Sequence, residues 1–294
     1  MLVLTIYQNL KPRWILRAKR CIIFEKNKAM SFKTNHEIDY KLYGEEMQCV
    51  EIELDPQETA IAESGSFMMM DDGIQMATIF GDGSGRDKGV FGKLLSAGKR
   101  LITGESLFMT AYTNIHHQKK TVSFASPYPG KIIPMDLHLL GNKIICQKDA
   151  FLCAAKGVSV GIEFQRKLGT GLFGGEGFIM QKLEGDGLCF VHAGGHVTER
   201  ELRAGELIKV DTGCIVAFTK SINYDISFVG GIKNTLFGGE GVFFATLKGP
   251  GKVWIQTLPV SRLAGRILSY ATVNRKEEGS ILGKIGNILD GDNR

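Results

Sequence analysis

The six cysteines of this 294-residue chain form no CxxC pair, and they are scattered at Cys21, Cys49, Cys146, Cys153, Cys189 and Cys214. Several lie inside apolar runs such as ICQKDAFLC and GLCFV, where a thiol behaves as a small hydrophobe. A disulfide framework and a paired-ligand zinc site are therefore not expected, and the thiols are read as free and buried in a reducing compartment. No run of 18 apolar residues occurs, so no transmembrane helix is expected. The glycine-rich stretch GDGSGRDKG at 81–89 lacks GxxxxGK[ST] and resembles a phosphate cradle only loosely. No Ser-His-Asp or Cys-His arrangement can be assembled from spacing.

Charge is also short where nucleic acid would demand it. The formal charge is +5, yet residues 1–29 alone hold seven Lys or Arg against Glu25, a net of +6. The rest carries 29 basic and 30 acidic residues, a net of −1, so no concentrated basic face is expected and nucleic-acid binding is disfavoured. Residues 1–43 read as a basic, partly disordered extension. Its apolar runs are interrupted by Lys11, Pro12 and Arg13, too early for a signal-peptide core, and Thr5 is its one Ser or Thr before residue 30. The plain reading places the start at Met30; the other is an organellar presequence.

What the chain does have is repetition and ample core: 44% hydrophobic residues. LFGGEG at 172–177 returns 64 positions later at 236–241, and GIEF at 161–164 lies over DISF at 225–228 with the same offset. Asp149 falls near Asp211, two residues off that register. A more divergent copy, LITGES, stands 71 positions earlier. Duplicated structural units are the ordinary route to a larger core, so three modules are expected: 44–140, 141–205 and 206–262, followed by a short helix and mobile tail at 263–294.

Strand signals fill these modules. VEIEL at 50–54 and INYDISF at 222–228 alternate with period two, and CIVAF, VFFATL and KVWIQTL are short β-branched and aromatic runs. EGDG, RAGE and KGPG supply glycine where a turn needs positive φ. The expected fold is all-β, with sandwich or barrel-like modules. Helical spacing occurs in FGKLLSAGKRLI, and a second short helix is expected after Pro259.

The order GESLFMT, SFASPYPGKIIPMDL, ICQKDAFLCAAKGVSVGIEFQRKLGTGLFGGEGFIMQKLEGDG and LRAGELIKVDTGCIVAFTKSINYDISFVGGIKNTLFGGEG resembles the altered-inheritance-of-mitochondria family over about residues 45–262. That resemblance implies three modules similar to the tryptophan RNA-binding attenuation protein, packed about a pseudo-threefold axis. It also implies a mitochondrial branch tied to inner-membrane organisation, and no established activity. A bacterial cytoplasmic member is the expectation here, mitochondrial only if the N-terminal segment is a presequence.

Candidate chemistry is sparse. His192 and His196 in HAGGH sit at i, i+4, but the intervening glycines suggest a turn rather than a metal-binding helix face. His116 and His117 read as a solvated hairpin loop. Met68, Met69 and Met70 could offer an adaptable surface; burial in a strand is the expected role. The repeat motif, Gly104 and Glu105, Gly174, Gly175 and Glu176, and Gly238, Gly239 and Glu240, is read as structural, each carboxylate accepting N–H groups of the bend it follows, with a cation site as the rival. No catalytic, cofactor-binding or metal residues are assigned and no cofactor is expected. The expected function is a non-enzymatic assembly or scaffold protein with a protein partner or a second copy of itself and, at most, peripheral membrane contact. The alternatives are a small-ligand or RNA-binding module and a metal-dependent enzyme in a β cavity.

Overall fold

The computed structural model describes residues 38–80, 108–166, 178–228, 243–268 and 270. Among these residues nineteen strands build four antiparallel sheets. In the first, β1 (Asp39–Tyr43), β2 (Cys49–Leu54), β7 (Lys120–Ala125) and β4 (Phe67–Met70) lie in that order. The second runs β5 (Ile74–Phe80), β6 (Phe108–Asn114), β3 (Thr59–Glu63), β10 (Phe151–Ala155), β13 (Leu188–Gly194), β8 (Gly130–Asp136). The third runs β11 (Ser159–Arg166), β12 (Phe178–Glu184), β9 (Lys143–Gln147), β16 (Ile215–Thr219), β19 (Gly251–Gln256), β14 (Val197–Leu202). The fourth is β15 (Leu207–Asp211), β18 (Phe243–Lys248), β17 (Asn223–Phe228). Among the described residues one helix, α1 (260–268), starts directly after Pro259, where the sequence places it.

Period-two patterning sets which face of each strand is buried. In β2, Val50, Ile52 and Leu54 are fully buried while Glu51 and Glu53 alternate with them toward solvent. The resulting faces meet in three apolar clusters. Val50 and Phe124 of the first sheet pack with Tyr112 and Phe190 of the second. Ile61 and Val191 of the second pack with Val216 and Trp254 of the third. Ile145 and Val253, on the other face of the third, pack with Val210 and Leu247 of the fourth. Each such aliphatic or aromatic side chain contributes about 1.5–3 kcal/mol on full burial. This is sandwich packing: among the described residues no sheet closes, which corrects the barrel-like half of the expectation. A barrel needs its two outer strands to meet, and each of these sheets ends in two separate edges.

The sheets do not respect the segment boundaries at 140/141 and 205/206. β3 joins β10, and β9 joins β16, so each six-stranded sheet takes strands from two successive segments. The 64-residue spacing is also visible in strand positions: Lys143 and Leu207 open β9 and β15, Phe151 and Ile215 open β10 and β16, and Ser159 and Asn223 open β11 and β17. The short 3-10 turns Lys148–Ala150 and Thr212–Cys214 keep the same spacing. The turn glycines serve as read: Gly205 in RAGE has φ +81 and links β14 to β15.

Candidate functional site

Strand β4 is the Met-rich stretch, and its placement corrects the expectation of burial. Phe67, Met68, Met69 and Met70 are 40%, 49%, 51% and 38% exposed. Gly65 (φ +94) turns the chain into the strand, and the Ser66 hydroxyl donates to the Glu63 carbonyl at 2.8 Å. β4 hydrogen-bonds to β7 on one side and ends the sheet on the other. Phe67 stacks on Tyr112 with ring centroids 5.6 Å apart, which holds the strand to the core while the methionines stay in solvent. A strand edge is covered by a neighbouring strand or not at all, and here that decides the outcome. Cys153 of β10 and Ala217 of β16, strands paired on both sides, are by contrast fully buried beside β3 and β9.

The other concentration of polar groups lies near the β3–β10 joint. His192, on β13, is buried; its Nε2–H donates to the Tyr128 carbonyl at 3.1 Å, and the two rings meet edge-on with centroids 4.4 Å apart. Its Nδ1 has no hydrogen-bond partner. Burial pushes the imidazole down to about 4, so it is neutral at physiological pH; the bond to Tyr128 opposes that shift. Glu63, at the end of β3, is pushed up to about 7, first by burial and then by the negative field of Asp149, with Lys148 opposing. Tyr128 is pushed up to about 12 by burial and by Asp149 and Glu63. Burial likewise raises the Cys146, Cys153 and Cys189 thiols, so none is an activated nucleophile.

His196 lies past the Gly195 turn (φ +67), where its backbone N–H donates to the Thr257 hydroxyl at 2.9 Å. His192 and His196 are thus separated by a turn, and among the described residues no three His, Cys, Asp or Glu side chains come together as a metal site. His116 and His117 stack in the β6–β7 loop, centroids 4.1 Å apart. The repeat-motif residues Gly104, Glu105, Gly174, Gly175, Glu176, Gly238, Gly239 and Glu240 lie outside the described residues, as do 81–89 and FGKLLSAGKRLI. Two features escaped sequence reasoning. Glu63 carried a weak signal, an acid ending the apolar run TAIA; Leu207, 51% exposed on the outer strand β15, carried none.

Three comparisons bear on this arrangement. The family described as Mitochondrial biogenesis AIM24 matches residues 40–258. An uncharacterized protein of Streptococcus pyogenes serotype M6 is 29% identical over 225 residues, 75% of this chain and 86% of that protein. A crystal structure of a Streptococcus pyogenes protein aligns with a TM-score of 0.63 at 22% identity, covering 79% of this chain and 99% of that one, a likeness of fold.

Proposed function

This chain belongs to the mitochondrial biogenesis AIM24 family, and from that membership we propose that it is a non-enzymatic assembly protein whose docking surface is the outer edge of β4. The observation that carries the reading is the exposure of four consecutive apolar residues, Phe67 to Met70, on a strand that has no neighbour on one side among the described residues. Such an edge offers a row of backbone donors and acceptors to an added strand, and methionine side chains adapt to what they meet. Among the buried polar groups His192 and Tyr128 are moved away from neutral pH and only Glu63 is brought up to about 7, with no cluster of three metal-ligating side chains beside it among the described residues. A bacterial setting is supported by the streptococcal relative, and no helix among the described residues is long and apolar enough to cross a membrane.

The test compares complexes held by the full-length parent and by Met69→Lys, a charge of the kind that blunts exposed edges. Native mass measurements on gently purified protein should show the parent in a larger assembly and the variant released from it, with unchanged circular dichroism. Assemblies of equal size in both would overturn the reading.

A further inference from the structure

The two joints between segments run in one direction along the chain. β3 of the first segment pairs with β10 of the second, and β9 of the second pairs with β16 of the third. β15 is the counterpart of β9, 64 residues later. β4 is the counterpart of β10 and β16, down to an irregularity in pairing. Its register with β7 shifts between Phe67 and Met69, as that of β10 with β13 shifts between Phe151 and Cys153, and that of β16 with β19 between Ile215 and Ala217. By this pattern β15 should pair with the β4 of a following segment. Among the described residues no such strand follows β15, and β15 and β4 are both terminal in their sheets.

We propose that β4 of one copy receives β15 of a second copy of this chain. The joined sheet, β17-β18-β15-β4-β7-β2, repeats the strand order of the two six-stranded sheets within the chain. This partner assignment rests on the reading of β4 as a docking edge. Two observations favour a second copy. Among the described residues both edges stand unpaired, within a compact unit bounded at 34–294. Moreover, the sequence FMMM carries no lysine, proline or acid to blunt the edge, as a strand left permanently in water would. Transfer of the observed registers fixes the contact. Ile145 faces Phe218 and Ile61 faces Ala154, so Lys209 is set opposite Met70, and Val210 opposite Met69. The contact is heterologous, one copy's β4 to the next copy's β15, and so builds a closed ring or a filament.

Cross-linking tests the contact in the full chain, with Cys21, Cys49 and Cys214 changed to serine and the fully buried Cys146, Cys153 and Cys189 retained. Met70→Cys and Lys209→Cys are made separately and together and treated with a short bifunctional thiol reagent. A mixture of the two single variants should yield a species of twice the chain mass that neither gives alone. No linked species in the mixture, or a link formed only within single chains of the double variant, would overturn the proposal. Should Met69→Lys release the assembly while β4 and β15 fail to link, the docking edge stands and this partner falls. Should neither respond, both fall.

Discussion

His192 and Gln256 stand 64 residues apart on β13 and β19 and close equivalent corners with different chemistry. Gln256 is satisfied at both ends: its Nε2 donates to the Gly213 carbonyl at 2.9 Å and its Oε1 accepts from the Gly194 N–H at 2.7 Å. His192 makes one bond, to the Tyr128 carbonyl, and keeps an unpaired Nδ1. An unsatisfied buried acceptor costs about 1–3 kcal/mol. His192→Gln should therefore cost little, while His192→Ala, which also opens a cavity beneath the Tyr128 ring, should lose about 2–4 kcal/mol by denaturant unfolding. Equal losses in the two variants would show that the ring's shape, and not its hydrogen bonding, is what the site requires.

Glu63 and His192 should oppose each other in the pH dependence of stability. The carboxyl rises from 4.5 to about 7 on folding, so its stabilising contribution is full below 4.5 and is lost as pH climbs through 7. The imidazole falls from 6.5 to about 4, so its contribution is full above 6.5 and is lost as pH drops through 4. Across the shared window each slope approaches about 1.4 kcal/mol per pH unit, with opposite sign. Thermal melts from pH 4.5 to 6.5 should be nearly flat in the parent, rise with pH in Glu63→Gln and fall with pH in His192→Gln. Parallel slopes in both variants would refute this balance.

Gly130 and Gly65 should respond differently to alanine. A Cβ on Gly130 meets the Ala193 carbonyl across the β8–β13 pair, where backbone must move to admit it. On Gly65 it meets nothing within 4 Å, and only the positive φ resists it. Gly130→Ala should lose more than about 3 kcal/mol and Gly65→Ala about 1 kcal/mol, read from chemical unfolding.

Much of the fold was legible because strand burial is local. Val50, Ile52 and Leu54 declare their face by alternation, and Gly205 marks its turn by chemistry available to the reader. Met68, Met69 and Met70 are illegible for the opposite reason: an unbroken apolar run declares no face, and its burial depends on a strand far away in sequence. Glu63 and Asp149 are brought together by the β3–β10 joint, which no local pattern announces. The repeated LFGGEG phrase, the most conspicuous feature of the sequence, falls outside the described residues.

Exposure of β4 also separates two lysine substitutions in matched positions. Met69→Lys places its charge in water and should change stability by no more than about 0.5 kcal/mol, whereas Cys153→Lys, at the buried counterpart, should prevent folding or cost more than about 4 kcal/mol. Thermal unfolding of the two variants side by side, at a protein concentration low enough that copies stand apart, checks this, and a strongly destabilised Met69→Lys there would show that β4 is covered within its own chain.

Because the second sheet borrows β10 and β13, a nascent chain that has reached residue 140 holds β3 and β8 with no strand yet made for their far sides. The same debt recurs one segment later, when β9 and β14 await β16 and β19. Synthesis is thus a relay in which each newly emerging segment shields edges left by its predecessor. Ribosomal stalling between segments would release fragments that are sticky by construction, so translation speed and chaperone supply should govern yield more than the finished protein's melting point does.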